Sequence, residues 1–116
     1  MNPFDYSLCD QTVTVYRKDG EITRTVLQGA CLQAQTAQPA ENYGKSLEKT
    51  FRLIIPGDFP LQPGDRVYRG VGPLEVNWQL FVPALVPQLY ECGFAKPCFW
   101  QGQVTHWEAG NRKEML

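Results

Sequence analysis

The chain has 116 residues, of which 43% are hydrophobic and 20% are charged, and its formal net charge is −1. This length supports one domain, residues 1–116, with its own hydrophobic core, and the composition excludes an intrinsically disordered chain. The balanced charge argues against a dedicated nucleic-acid binder, which usually shows a basic face or tail. No run of about 20 apolar residues is present, so the sequence predicts no membrane helix.

The N-terminal segment MNPFDYSLCD contains neither a basic region nor an apolar stretch. It therefore predicts no signal peptide, and we expect the chain to stay in the cytoplasm where it is made. Residues 1–11 are expected to form a strap that packs on the body or on a neighbouring subunit. The side chains available for this packing are those of Phe4, Tyr6 and Leu8.

Two strands and a turn open the body of the chain. The β-branched and aromatic residues of TVTVYR (12–17) predict the first strand, and KDGE (18–21) predicts a hairpin turn. ITRTVL (22–27) is the expected return strand. Gln28-Gly29 then predicts a break or a bulge before a third strand, ACLQA (30–34).

A polar segment follows, TAQPAENYGK (36–45), which has no hydrophobic period. It predicts an exposed loop of about ten residues, and loops of this length are often functional in compact domains. A solvated hairpin tip is an equally weighted alternative.

The clearest strand signal lies in KTFRLII (49–55), where Phe51, Leu53 and Ile55 alternate with polar positions. Pro56 lacks a backbone donor and ends this strand. Pro63-Gly64 then predicts a type II turn, because proline presets the first central φ and glycine accepts the positive second one.

A proline-rich apolar connection is predicted over residues 71–97. Asn77 is positioned to cap one short helical turn over 78–81. A connection with so many apolar side chains must be covered from solvent. We expect it to pack on the sheet of its own chain, and association with a partner is the second interpretation. The side chains that we assign to a partner interface are Trp78, Leu80, Phe81 and Leu85.

The sequence CFWQGQVTHW (98–107) predicts the last strand, with aromatic side chains on both faces. We expect this strand to be covered on both sides, and Gly102 permits a bulge or a tight bend. Residues 109–116 are a predicted frayed tail. About six strands with no long helix predict an all-β fold, a small antiparallel β-barrel or sandwich.

Catalytic chemistry is not evident in this sequence. His106 is the one histidine, and neither the cysteines nor Ser7 and Ser46 lie in a nucleophile motif. The carboxylates Asp58 and Asp65 are better explained by turns than by acid–base work. We therefore expect no enzyme, no cofactor and no metal.

The four cysteines, Cys9, Cys31, Cys92 and Cys98, follow no zinc-ligand spacing and predict free, partly buried thiols. A zinc site using Cys92, Cys98 and His106 is an alternative that needs a further ligand.

A second alternative is a platform of aromatic side chains that stack on single-stranded nucleic acid, although packing in the core explains these side chains better. These residues are Tyr16, Tyr68, Phe99, Trp100 and Trp107.

Three features resemble the small head–tail connector proteins of tailed bacteriophages and prophages, of the head-closure (stopper) or minor capsid group. They are the strand 12–17, the strand 51–56 with its terminal Ile-Pro, and PGDRVYRG (63–70), which is similar to the "GD, apolar, x, x, G" step of those proteins. The resemblance covers most of residues 12–70 and, weakly, the last strand.

The resemblance implies a virion structural protein, assembled in the bacterial host cytoplasm, that forms a homo-oligomeric ring between the portal or adaptor and the tail completion protein. In stoppers a loop between two strands faces the central channel. Here segment 36–45 takes that place, with Asn42, Tyr43 and Lys45 expected to face packaged DNA without sequence preference. A small-barrel binding module for single-stranded nucleic acid or a peptide is the alternative function.

Overall fold

The computed structural model describes residues 4–36 and 49–111, and these residues form seven strands. Every strand pairing among them is antiparallel, and the order across the sheet is β5-β4-β1-β2-β3-β7-β6. The predicted all-β class is therefore confirmed, with seven strands rather than about six. The strands are β1 (Gln11–Asp19), β2 (Glu21–Thr36), β3 (Lys49–Pro56), β4 (Arg66–Arg69), β5 (Leu89–Glu91), β6 (Phe94–Trp100) and β7 (Gln103–Gly110).

The long strand β2 curls the sheet. Its first part pairs with β1 and its last six residues pair with β3. The pairing register between β1 and β2 shifts by one residue between Gln11 and Val13, and Gly29 has φ 78°. The predicted bulge at Gln28-Gly29 is thus confirmed, and the two strands predicted around it are one bent strand.

The curl brings the two ends of the sheet together as a half-barrel. Strands β5 and β6 lie at opposite ends of the strand order, yet only Cys92 and Gly93 separate them in sequence. The main core fills the inside of this curve and includes Phe51, Leu53 and Ile55, the alternating positions predicted for β3. Within residues 4–36 and 49–111, no helix has the length and the apolar composition that crossing a membrane requires.

Strand β1 is buried on both of its faces. Val13 and Val15 belong to the main core, whereas Tyr16 lies on the opposite face under the proline-rich segment. The Tyr16 hydroxyl donates to the Pro73 carbonyl oxygen over 2.6 Å, and the Phe81 ring meets the Tyr16 ring edge-on at 4.7 Å. The segment therefore packs on its own sheet, as expected, and supplies a second small core.

The proline-rich segment, residues 71–97, contains the predicted helical turn. Its last part forms strand structure that the sequence did not predict. The backbone N–H of Phe81 donates to the Asn77 carbonyl over 2.8 Å, and the Asn77 side chain accepts from the Gln79 N–H. One turn capped by Asn77 is thus confirmed. Residues 71–97 are not all irregular, however, because β5 and the first part of β6 lie within them.

The prediction of one last strand over residues 98–107 was wrong, because this region forms a hairpin. The chain reverses at Gln101 and Gly102, which have φ 53° and 78°, so β6 and β7 pair with each other. Phe99 and Trp100 at the tip are 58% and 40% exposed, so the expected cover on both sides is absent there. Strand β7 continues to Gly110, so residues 109 and 110 belong to this strand and not to a tail; residues 112–116 lie outside the described part of the chain.

Candidate functional site

The β6–β7 hairpin places three metal-ligand types of side chain on one face. Cys98 and His106 are direct cross-strand partners, and Glu108 lies two residues beyond His106 on the same face. The Cys98 thiol donates to Glu108 Oε2 over 2.8 Å, and His106 Nε2 lies 3.2 Å from the same oxygen. The three ligand atoms all lie within 4.8 Å of one another. We call these three residues the hairpin triad.

The N-terminal strap covers the histidine of the hairpin triad. The Tyr6 hydroxyl lies 2.7 Å from His106 Nδ1, and the Phe4 ring meets the imidazole edge-on at a centroid distance of 4.7 Å. His106 is only 2% exposed as a result. Phe4 and Tyr6 thus pack on the body as predicted, whereas Leu8 is 80% exposed and does not.

The electrostatics of the hairpin triad keep its thiol protonated at neutral pH. Burial, followed by the hydrogen bond to the Glu108 carboxylate, raises the pKa of Cys98 to about 11. Burial opposes ionisation of Glu108, but the hydrogen bonds to Cys98 and His106 outweigh it and lower the pKa of that carboxyl. A thiol with so high a pKa is a poor nucleophile, so this geometry does not favour covalent catalysis by Cys98.

The zinc alternative raised by the sequence is partly right about its residues. Cys98 and His106 lie together as it requires, but Cys92 is elsewhere, buried in the main core. Burial raises the pKa of Cys92 to about 12. Sequence reasoning missed Glu108 although the spacing His106-x-Glu108 signals one face of a strand, because that strand was expected to end at Trp107.

A second polar feature is the buried carboxylate of Asp65. It accepts two hydrogen bonds from Arg17, at 2.8 and 2.7 Å, and one from the Gln62 backbone N–H at 2.9 Å. Gly64 has φ 93°, which confirms the predicted type II turn around Pro63-Gly64. The carboxylate joins this turn to β1, so its role is structural.

A cleft of about 350 Å³ opens beside this turn, between Arg17 and Arg66. The Arg66 guanidinium donates to Glu91 and to the carbonyl oxygens of Trp78 and Phe81. Both arginines are thus engaged in intramolecular bonds, which does not favour the cleft as an anion site.

Two of the four predicted partner-interface residues are exposed and two are not. Leu80 and Leu85 are 60% and 63% exposed, but Phe81 is 6% exposed and belongs to the second core with Tyr16. Trp78 is half-buried with the Arg66 guanidinium 3.8 Å above its ring. Phe81 and Trp78 thus pack on the chain's own sheet, and the assignment of the four residues to a partner interface stays a prediction.

Two further aliphatic residues of the same segment, Val71 and Leu74, are 67% and 81% exposed. Sequence reasoning missed them because they follow Gly70 and Pro73 in a stretch with no period. We call the four exposed residues the apolar set; its members are Val71, Leu74, Leu80 and Leu85.

The proposed stacking platform is not one surface. Tyr16 is fully buried, and the Tyr68 ring lies parallel to the Phe81 ring at 6.3 Å. The Trp107 indole is half-buried, and its N–H donates to Asp58. Of the five aromatic residues considered, Phe99 and Trp100 are exposed.

The three residues expected to face DNA, Asn42, Tyr43 and Lys45, lie outside the described residues, so that assignment stays a prediction. Comparison of the chain with protein-family models, with curated proteins and with solved structures finds no match.

Proposed function

We propose that this chain is a structural subunit of a tailed-phage or prophage virion, a head–tail connector of the head-closure or minor capsid group. In this role it forms a ring with its own copies, between the portal or adaptor and the tail completion protein. It acts by packing, without turnover. The observation that supports the proposal best is the apolar set, whose four members are each at least 60% exposed.

Burial of the apolar set against a partner would stabilise an assembly. Complete burial of one such side chain contributes about 1.5–3 kcal/mol. The apolar set belongs to a segment that Tyr16 and Phe81 anchor firmly to the sheet. It is therefore held on a rigid support, which favours a preformed interface over an induced one.

The half-barrel suits a ring subunit. In the proposal the apolar set meets a different surface of the next copy in a head-to-tail contact, and such contacts form a ring where the rotation between copies closes. The segment that carries Asn42, Tyr43 and Lys45 lies between β2 and β3 in sequence. In the proposal this segment faces the channel, where Lys45 contacts DNA phosphates without reading sequence.

The test is incorporation into particles by a chain in which Leu80 and Leu85 are both replaced by aspartate. We expect this variant to fold, because both side chains are exposed, and to be lost from purified particles when it complements a deletion of the gene. The matched control replaces Gln79 and Gln88 by aspartate, which adds the same charge to the same segment but removes no apolar side chain. Equal incorporation of both double variants would sink the proposal.

A second function is favoured by one observation, the exposure of the consecutive aromatic residues Phe99 and Trp100 at the hairpin tip. An exposed aromatic ring can stack on the bases of single-stranded nucleic acid or pack against a peptide. This function predicts quenching of tryptophan fluorescence by a thymidine oligonucleotide, weakened by salt and abolished by Trp100→Ala. Absence of quenching at low salt contradicts it and leaves the virion role unaffected.

A further inference from the structure

The hairpin triad has the composition and the spacing of a transition-metal site. We propose that Cys98, His106 and Glu108 bind one Zn²⁺ ion through Cys98 Sγ, His106 Nε2 and a Glu108 carboxylate oxygen, with water as the fourth ligand. This inference is independent of the virion role.

The distances favour such a site. Zinc binds sulfur at about 2.3 Å and nitrogen or oxygen at about 2.0–2.2 Å, which places tetrahedral ligand atoms about 3.5 Å apart. The Cys98 Sγ to Glu108 Oε2 distance is 2.8 Å, the His106 Nε2 to Oε2 distance is 3.2 Å, and no pair exceeds 4.8 Å. Small rotations of the Cys98 and Glu108 side chains therefore suffice to place an ion between them.

The support for the ligands is also present. Two neighbouring strands hold the three side chains, so their separation is fixed by the ladder between Cys98 and His106. The Tyr6 hydroxyl, 2.7 Å from His106 Nδ1, occupies the position of the outer-shell partner that orients metal-binding histidines. A tyrosine hydroxyl both donates and accepts, so it serves either tautomer of the imidazole.

The charges and protons balance. When zinc binds, the S–H bond of Cys98 breaks, a Zn–S bond forms and the thiol proton leaves to solvent. His106 then holds its proton on Nδ1, from which it donates to Tyr6, and Nε2 becomes a ligand. One thiolate and one carboxylate neutralise the two charges of the ion, which suits a half-buried position.

The donor set selects the class of ion. Sulfur and imidazole ligands favour Zn²⁺ and its neighbours in the first transition row, whereas Mg²⁺ and Ca²⁺ prefer oxygen ligands alone. Glu108 is 21% exposed at its side chain, so an ion can enter from solvent. Through Tyr6, a bound ion would also fix the N-terminal strap against the hairpin.

The experiment is a titration of the reduced, metal-free full chain with Co²⁺, a spectroscopic substitute for zinc, followed by displacement with Zn²⁺. We expect a thiolate-to-cobalt charge-transfer band that saturates at one ion per chain and disappears when zinc is added. Cys98→Ser should abolish the band, and Glu108→Gln should weaken binding at least tenfold. Tyr6→Phe, which touches no metal, should weaken it about tenfold through the histidine.

The matched control is Cys31→Ser, which removes a different half-buried thiol and should leave the band unchanged. A measurement on the unmodified chain makes the test independent of how the variants fold: bound Zn²⁺ should protect Cys98, identified by peptide mass, from alkylation by iodoacetamide. A chain that shows no band and no protection overturns the proposal, as does a band that persists in a folded Cys98→Ser variant.

Discussion

Asp65 shows how one buried carboxylate organises the turn that precedes β4. It is 1% exposed and joins Arg17 on β1 to the backbone of Gln62. Replacing Arg17 by methionine keeps most of the side-chain volume but leaves this carboxylate without its charged partner. We expect the free energy of unfolding to fall by about 3 kcal/mol, measured by urea denaturation.

The control for this variant is Lys18→Met, which removes the adjacent and exposed cation. Its effect should stay within about 0.5 kcal/mol, as for surface substitutions in general. If the two variants lose equal stability, the Arg17–Asp65 pair does not have the role assigned to it.

The buried thiols make stability depend on alkaline pH. Burial raises the pKa of Cys92 from its ordinary value of 9.0 to about 12, so the unfolded chain loses this proton before the folded chain does. The contribution of the protonated thiol is therefore complete below pH 9 and is lost as the pH rises toward 12. We expect the free energy of unfolding to fall by up to about 1.4 kcal/mol per pH unit in this window.

Urea denaturation at pH values from about 8 to 10 measures this dependence. Cys92→Ala removes the contribution of Cys92 and should make the decline shallower. A variant whose stability declines as steeply as that of the unmodified chain contradicts the assignment to Cys92.

Among the elements, the proline-rich segment links the fold to the proposed assembly. Its buried side, at Phe81, contacts Tyr16, and its exposed side carries the apolar set. Phe81→Ala should lower the free energy of unfolding by about 3–5 kcal/mol, because it leaves a cavity in the second core. Thermal or urea denaturation of the isolated chain measures this loss.

The adjacent substitution Leu80→Ala is the control, since Leu80 is 60% exposed. It should change the stability of the isolated chain by less than about 0.5 kcal/mol. A large loss in Leu80→Ala, or a small one in Phe81→Ala, would mean that the two sides of the segment are assigned the wrong way round.

Local signals predicted the elements that depend on neighbouring residues. The alternation of Phe51, Leu53 and Ile55 and the turn at Pro63-Gly64 are both properties of a few consecutive positions. The β6–β7 hairpin was missed because the positive φ at Gln101 falls on a residue that carries no turn signal. Pro97 also discouraged a strand there, although β6 is an edge strand and tolerates it.

The sequence did not predict the hairpin triad because it did not predict the β6–β7 hairpin. With residues 98–107 assigned to one strand, Cys98 and His106 are eight residues apart along an extended chain, and Glu108 falls near its frayed end. The reversal at Gly102 brings Cys98 and His106 into register. The sequence also did not predict that the Tyr16 face of β1 is buried, because the residues that cover this face lie more than 50 positions away along the chain.

At the scale of the whole molecule, the prediction about DNA concerns the segment that lies between β2 and β3 in sequence. Deleting residues 39–44, which include Asn42 and Tyr43, should leave assembly intact and reduce retention of DNA in filled particles. Nuclease-resistant DNA per purified particle measures this. A matched control is Lys18→Gln, at the tip of a different hairpin; unchanged retention in the deletion variant would refute the channel-facing role.

The virion role itself is tested most directly by quantitative mass spectrometry of phage particles purified from the bacterium that carries this gene. The account predicts that the chain is present in every preparation, in several copies per portal ring and far below the major capsid protein. It also predicts that the copies stay with the particle after nuclease treatment and density-gradient purification. Particles that are complete and infectious but contain none of the chain would contradict the account.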